Sequence, residues 1–317
     1  MVRRPTVLIF GAGVSKDYGF PLGRELLISI ADSFENGTKV GFAMTQCGFD
    51  REFIRRFGDE LYFSNQPSVD AFLEQHNKEP DFVRLGKAAI AASLLHEELT
   101  PSLLNRTEMR LYEHLWHHVT GPIGTYAGNQ LAVITFNYDR SFEHFLRKSF
   151  AASHPEFRNQ GDEFKRALSQ IEIVHVYGSL GSLDKKSGNY LVYGGRDDPS
   201  DPKVILSASE RIKLYHEAIG QDNTTARMRE RITEAETICF LGFAFYPSNV
   251  RLLQFCGLGE NKETKHFGSA YGMKLGERDF IRQELGFDIR LADEHTKSLD
   301  ALREFPVLQP VREDIKP

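Results

Sequence analysis

The sequence predicts an α/β fold, with a mostly parallel sheet whose strands alternate with helices. Two observations predict it. Short apolar runs typical of buried strands recur along the chain, and the stretches between them carry apolar residues at helical spacing. This alternation of strands and helices is typical of parallel sheets. The runs that read as buried strands lie at residues 6–10, 131–135, 171–176 and 237–243, with weaker ones at 204–206 and 289–291.

The long stretch between the first two strand-like runs is predicted to be helical. Its apolar residues recur at helical spacing over residues 69–75, 82–95 and 110–118. We expect a helical insertion over about residues 40–125, within a single domain of residues 1–305. Residues 181–202 and 257–266 are polar connections, the first a hairpin or loop, and residues 306–317 are predicted to be a poorly ordered tail.

The composition is that of an ordinary globular protein with an acidic balance. The 317 residues are enough to bury a substantial core, and 41% of them are hydrophobic. A formal charge of −5 argues against direct nucleic-acid binding, which usually needs a basic surface. Because no apolar run is long enough for a membrane span or a signal peptide, we expect a cytoplasmic protein without membrane attachment.

Residues that commonly bind metals form no metal-site pattern in this sequence. The three cysteines are Cys47, Cys239 and Cys256. Since they include no CxxC pair, a zinc ribbon and a disulfide scaffold are not expected, and Cys239 is interpreted as a core thiol. His114, His117 and His118 share one helical face, which we interpret as a packing face beside Trp116.

A glycine turn follows the first predicted strand. The apolar run that begins at Val7 ends in Gly11, Ala12 and Gly13, and Ser15 comes two residues later. Glycines in such a turn let backbone N–H groups approach a phosphate closely. A turn in this position is where nucleotide-binding α/β folds hold a pyrophosphate, although a tight strand-to-helix turn without a ligand is an equal alternative.

The turn departs from the fingerprint of dinucleotide-binding dehydrogenases. The GxGxxG pattern needs a glycine where Lys16 stands, and no acidic residue ends an obvious second strand about twenty residues later. We expect the next helix to begin at Pro21, with Leu22, Leu26 and Ile30 on its apolar face.

The second predicted strand is followed by two polar side chains, Asn137 and Asp139. Ligands of open α/β sheets bind at the carboxyl ends of the strands, so both residues lie where chemistry is expected. Asp139 has an alternative role as the cap of a helix predicted over residues 140–150. Asn137 has no capping role at its spacing, which favours a functional one.

The third predicted strand carries His175 and Tyr177, which are two residues apart and therefore face the same side. His175 is a candidate general base, and the alternative is a hydrogen-bonded core histidine. Gly178 and Ser179 then break the strand into a loop.

The fourth predicted strand ends at Gly242 and Phe243. A glycine at this position lets a ligand lie close to the backbone. Ser248 or Asn249 is predicted to cap the helix that continues to about Phe255.

Together these four strand ends resemble the ordered motifs of sirtuin-like (silent-information-regulator) domains, and the bacterial branch without zinc is the most similar. The motifs span residues 7–255, about three-quarters of the chain. They are Gly11-Ala12-Gly13-Val14-Ser15, Thr135-Phe136-Asn137-Tyr138-Asp139, His175-Val176-Tyr177-Gly178-Ser179 and Leu241-Gly242-Phe243.

The resemblance implies a Rossmann-type sheet that binds NAD as a substrate, without zinc. It implies that Asn137 and Asp139, as the family's Asn-x-Asp, contact the nicotinamide ribose and position the attacking group. It also implies a set of nucleotide contacts: Gly11, Ala12, Gly13 and Ser15 at the pyrophosphate, Gly242, Phe243 and Asn249 near the adenosine half, and Tyr177, Gly178 and Ser179 elsewhere in the nucleotide site.

One residue departs from the family pattern. The catalytic histidine of sirtuins directly precedes a glycine, and Tyr177 occupies that place here. His175 lies two residues earlier, roughly 6–7 Å away by the rise of a strand. We predict that His175 takes over as base or ribose partner.

The resemblance therefore predicts an NAD hydrolase that releases nicotinamide and ADP-ribose, in antiphage defence by NAD depletion. It further implies control by self-assembly into a homo-oligomer or by a regulatory partner such as an ATPase. Two alternatives stay open. One is an NAD-dependent protein deacylase, and the other is a non-catalytic nucleotide-binding or scaffold module, which Tyr177 favours.

Overall fold

Six parallel strands form one sheet in the computed structural model, which describes residues 1–99, 103, 108–121, 128–155, 171–194, 198–219 and 223–308. The strands are β1 (Thr6–Phe10), β2 (Leu131–Thr135), β3 (Glu172–His175), β4 (Thr237–Leu241), β5 (Lys265–Gly268) and β6 (Arg290–Leu291). Their order, β3-β2-β1-β4-β5-β6, reverses between β1 and β4. This is the order of a Rossmann-type fold, as the sequence predicts.

The central strands are apolar because helices cover the sheet. Every residue of β1, β2 and β4 is buried. β-branched and aromatic side chains dominate these strands, and they suit a pleated surface that is buried on both faces. The register places Phe10 opposite both Thr135 and Leu241, and Thr135 opposite His175, so the four strands end at the same level.

Helices occupy the connections between the strands. In the first connection they are α1 (Ala12–Ser15), α2 (Gly23–Asn36), α3 (Lys39–Gln46), α4 (Arg51–Phe63), α5 (Val69–Gln75), α6 (Pro80–Glu97) and α7 (Leu111–Val119). In the later connections they are α8 (Ser141–Ser153), α9 (Pro202–Ser209), α10 (Tyr215–Ala218), α11 (Asn223–Glu234), α12 (Pro247–Phe255) and α13 (Leu275–Leu285), and α14 (Ser298–Glu304) follows β6.

Between β1 and β2 the described residues form helices joined by turns and loops, and none of them forms a strand. Its helices pack around aromatic rings, with Phe57 of α4 lying 5.7 Å from Phe34, 5.3 Å from Phe72 and 5.2 Å from Phe82, measured between ring centroids. Helix α9, which follows β3, packs on α6 and α3. Two separate parts of the chain therefore build this helical layer.

One strand prediction from the sequence is wrong, and one strand was not predicted. Residues 204–206 lie in helix α9, because Pro202 suits its first turn and the Asp201 side chain caps it by accepting a hydrogen bond from Lys203 N. Conversely, the segment predicted as a polar connection over 257–266 runs into β5. That strand is only four residues long and begins at an exposed lysine, so its pattern carries little signal.

Two predicted helix starts also differ from the structure. Helix α2 begins at Gly23 rather than Pro21, and Leu22 is 37% exposed, whereas Leu26 and Ile30 are buried as predicted. Helix α12 begins at Pro247, which places Ser248 and Asn249 inside its first turn. Neither of those two side chains acts as the cap.

The remaining predictions concern connections and cysteines. Within 181–202, Ser182 pairs with Tyr190 by an isolated bridge. All three cysteines are buried and unpaired, and Cys239 lies in the core of β4 as predicted. No helix in the described ranges is long and apolar enough to cross a membrane. Residues 309–317 of the predicted tail lie outside the described residues.

Candidate functional site

The four motifs meet at one edge of the sheet. Because β1 to β4 are parallel neighbours, their carboxyl ends lie side by side, and the polar residues that follow them come together. The reversal of strand order between β1 and β4 places the glycine turn beside Gly242.

The glycines at this edge allow two backbone segments to touch. A side chain at Gly11 would lie 2.4 Å from the carbonyl oxygen of Gly242, and one at Gly13 would lie 2.8 Å from Gly242 Cα. The N–H groups of Gly11 and Gly13 donate to the carbonyls of Leu241 and Gly242, each at 3.0 Å. These two N–H groups are therefore used within the protein, and Ala12 begins the short helix α1 beside them.

Ser15 is buried at the centre of a hydrogen-bond network. Its hydroxyl donates to Asp139 Oδ2 at 2.8 Å and accepts from Asn137 Nδ2 at 3.1 Å. Tyr112 of α7 lies within 3.4 Å of the same hydroxyl and 2.8 Å from Ser141 Oγ. The network thus joins the glycine turn, the end of β2, and a helix that precedes β2.

Asn137 links the ends of β2 and β1 and is only partly buried. Its Nδ2 also donates to the carbonyl of Gly11 at 3.1 Å. Its Oδ1 accepts no hydrogen bond from the described residues, which leaves one amide oxygen free beside the turn. The side chain therefore supports the turn and has one acceptor atom that no described residue uses.

Asp139 is buried and accepts hydrogen bonds on both carboxylate oxygens. Besides the contact with Ser15, its Oδ1 accepts from the backbone N–H of Ser141, at 3.0 Å, and from the Ser141 hydroxyl. Helix α8 begins at Ser141 with Arg140 as its N-cap residue, so Asp139 satisfies the first N–H group of the helix from one position before the cap. Burial raises the pKa of Asp139, and the donors from Ser141 and Ser15 oppose that rise.

His175 is paired with a carboxylate that the sequence analysis missed. Its Nδ1 lies 2.9 Å from the carbonyl oxygen of Asn137, and its Nε2 lies 2.5 Å from Glu143 Oε1. Burial lowers the pKa of His175. The charge and hydrogen bond of Glu143 raise this pKa, and the net shift is upward. Burial raises the pKa of Glu143, but the charge and hydrogen bond of His175 lower it, and the net shift is downward.

Tyr177 makes contacts separate from those of His175. Strand β3 ends at His175, so the alternation of strand side chains does not extend to Tyr177. The Tyr177 hydroxyl donates to Asn249 Oδ1 of α12 at 2.6 Å, and its ring meets Phe136 edge-on at 5.5 Å. Phe243, also buried, lies 5.1 Å from Phe136. Three of the motifs therefore share one aromatic cluster.

The loop after Tyr177 is held close to the residues that follow α9. A side chain at Gly178, where φ is +77°, would lie 1.9 Å from the carbonyl oxygen of Arg211, and Lys213 N donates to Tyr177 O at 2.9 Å. Ser179 is half-buried in this loop.

The polar network leaves little internal space. A cavity of about 10 Å³, close to the minimum for one water molecule, remains among ten residues. Its polar lining consists of Ser15, Tyr112, Thr135, Asn137, Asp139 and Glu143. A nucleotide cannot enter this cavity as it stands. A wider groove of about 610 Å³ runs along α2 and α3, and none of the predicted site residues lines it.

The described residues contain no group of three or more His, Cys, Asp or Glu side chains placed to hold a metal ion. His114 and His118 instead pack edge to face, 4.8 Å apart between ring centroids. No protein-family model matches the chain, and a search of curated proteins gives no significant match. The function of the site is therefore inferred from its own geometry.

Proposed function

We propose that this protein binds NAD at the carboxyl edge of its sheet and hydrolyses the bond between nicotinamide and ribose. The observation that carries the proposal is the position of Asn137. Its amide joins the glycine turn, at 3.1 Å from both Gly11 O and Ser15 Oγ, and leaves Oδ1 free in the described structure. A free acceptor at the ligand edge of a Rossmann-type sheet suits a ribose hydroxyl.

The ionisable groups nearby suit this chemistry. Nicotinamide leaves as a neutral base, water adds to the ribose carbon, and one proton is released with ADP-ribose. The ribose carbon becomes cationic as the bond breaks, so carboxylates near it stabilise the transition state. Asp139 lines the cavity beside Asn137 and would supply that negative charge.

The proposal places NAD at the rim of the network. Ser15 and Asp139 are buried and hydrogen-bonded to each other, so they support the site from below. The partly exposed Asn137, the glycine turn with Ala12, and the loops at Gly178 and Gly242 form the rim that meets the nucleotide.

The direct test is incubation of the purified chain with NAD, with products separated by chromatography. We expect nicotinamide and ADP-ribose in equal amounts, and at least a tenfold loss of kcat/KM in Asn137→Ala, equivalent to about 1.4 kcal/mol of transition-state stabilisation. Asn36→Ala, which changes an exposed asparagine of α2, is the matched control and should keep full activity.

Stability must be measured in the same variant, because Asn137 also contributes two hydrogen bonds. Asn137→Ala should lower the free energy of unfolding by about 1–3 kcal/mol. Nicotinamide release that requires an acylated lysine peptide and yields O-acyl-ADP-ribose would identify a deacylase instead.

A second function, nucleotide binding without cleavage, is favoured by one observation. Both ring nitrogens of His175 are occupied, and Tyr177, at the place of the family's catalytic histidine, is bonded to Asn249. NAD binding by calorimetry without any nicotinamide release, in the presence of candidate partners, would establish this function.

We further propose that NAD cleavage is restrained until the chain assembles with itself or with a partner such as an ATPase, as antiphage defence by NAD depletion would require. Size-exclusion chromatography with light scattering measures the assembly state, and NAD levels in infected cells report the activity; together they test this proposal. Full NADase activity of a monomer in uninfected cells would contradict it.

A further inference from the structure

The hydrogen bonds of His175 determine which of its nitrogens carry protons. The carbonyl oxygen of Asn137 can only accept, so Nδ1, 2.9 Å away, must donate. Nε2 lies 2.5 Å from Glu143 Oε1, and a proton must lie between those two atoms. With Glu143 ionised, His175 is therefore an imidazolium, and neither nitrogen has a free lone pair.

This arrangement conflicts with the predicted role of His175 as a general base. A base must present an unprotonated nitrogen to the proton it removes. Here one nitrogen holds the backbone of Asn137 and the other holds the carboxylate. His175 is instead a donor that fixes the peptide group between Asn137 and Tyr138, which directly follows the Asn137 side chain.

Several charged or titratable groups surround the pair. Asp139 acts on both members of the pair, Arg140 and Arg147 act on Glu143, and Tyr112 of α7 faces the carboxylate from the opposite helix. Arg140 and Arg147 favour an ionised Glu143. Asp139 favours a protonated His175 and opposes the ionisation of Glu143, but the net shifts raise the pKa of His175 and lower that of Glu143. The environment therefore supports the charged form of the pair.

We propose that Glu143 is a positioning residue, which acts through His175 to hold Asn137 in the geometry that meets the nicotinamide ribose. The proposal rests on the proposed function. Glu143 needs no contact with the substrate for this role. What it supplies is a hydrogen-bond partner for Nε2, which keeps the imidazole ring oriented with Nδ1–H toward Asn137.

Two substitutions separate this role from others. In Glu143→Gln, the amide N–H can donate to Nε2 of a neutral imidazole, so the Nδ1 contact with Asn137 remains. In Glu143→Ala that partner is lost. We expect kcat to fall roughly 10- to 100-fold in Glu143→Ala, as is typical when an outer partner of a functional side chain is removed. Glu143→Gln should stay within about threefold of the wild type, and KM should change little in both.

Glu52→Ala is the matched control. Glu52 lies in the first turn of α4, as Glu143 does in α8, and it is exposed. The Glu52→Ala substitution removes the same favourable interaction between a glutamate and a helix N-terminus, but it lies outside the site. Its activity should equal that of the wild type.

The proton state of His175 gives a readout that does not require catalysis. Nitrogen NMR of labelled protein should show both ring nitrogens protonated at neutral pH in the wild type, and Glu143→Gln should lower the pKa of His175. Activity of the wild type should show no loss on the acid side at the ordinary histidine pKa of about 6.5.

Three results would overturn the proposal. They are a neutral His175 at pH 7, an equal loss of kcat in Glu143→Gln and Glu143→Ala, and an acid-side loss of activity that follows the titration of His175. If the wild type releases no nicotinamide, the proposed hydrolase function fails. The NMR titration and the NAD affinities of the same variants then still decide the role of Glu143.

Discussion

At the scale of single residues, the backbone of Gly242 leaves no room for a side chain. Its φ of +57° favours glycine, and a side chain there would lie 2.4 Å from Val14 N and 2.7 Å from Gly13 Cα. Two separate costs therefore act on any substitution, the strain of a left-handed backbone and a collision with the glycine turn.

Comparison of Gly242→Ala with Gly272→Ala separates these two costs. Gly272 has φ +79° but no atom within 4 Å of its would-be side chain. We expect Gly272→Ala to lower the free energy of unfolding by about 1 kcal/mol and Gly242→Ala by about 2–4 kcal/mol, measured by urea denaturation. Equal losses would show that the turn yields without cost.

At the scale of elements, a buried ion pair joins three segments behind the site. Arg140, only 1% exposed, binds both oxygens of Glu98 at the end of α6, with distances of 2.9 and 2.6 Å. It also donates to the carbonyl of Leu191 at 2.6 Å. The start of α8, the end of α6 and the loop after β3 are thus held by one guanidinium group.

Removal of one charge from this pair should be costly. Glu98→Gln leaves the Arg140 guanidinium buried without its counter-charge, and we expect the free energy of unfolding to fall by about 3–5 kcal/mol. Glu60→Gln, which breaks an exposed pair with Arg56 on α4, should change it by no more than about 1 kcal/mol. Similar losses in the two variants would contradict the structural role of Arg140.

At the scale of the whole molecule, Tyr138 is one of the residues that connect the helical insertion to the site. The hydroxyl of Tyr138, between Asn137 and Asp139, donates to the Asp70 carboxylate of α5 and lies 3.2 Å from the carbonyl oxygen of Lys213. Burial raises the pKa of Asp70, and hydrogen bonds from Tyr138 and Ser68 only partly oppose the rise. The contact between α5 and Tyr138 therefore contains a carboxylate that is costly to ionise.

The buried Asp70 carboxylate predicts that the free energy of unfolding depends on pH. Because the folded-state pKa of Asp70 is raised, its ionisation costs stability as pH rises from the unfolded value of about 3.9 through the raised one. Asp70→Asn removes that loss, so its free energy of unfolding relative to the wild type should increase across this window. Asp59→Asn, at an exposed position of α4, should show no such trend. A difference for Asp70→Asn that does not vary with pH would contradict the assignment.

The sequence predicted the parts of the fold that local pattern controls. Buried strands such as Leu131–Thr135 and helices such as Val69–Gln75 match their predicted bounds, because burial and hydrophobic period are written in adjacent residues. The sequence predicted a strand at 204–206, where the structure has a helix, and it did not predict β5. Both segments are short, and an apolar pattern of three or four residues fits a helix as well as a strand.

The sequence alone determined that the strand ends would carry polar residues and glycines, and topology then brought them to one edge. Only the tertiary structure decided what each residue does there. Glu143 reads as an ordinary acidic residue in the first turn of a helix, but it meets His175, 32 residues away. Its role depends on how α8 packs beside β3, and no local period of the sequence encodes the distance between two side chains from different elements.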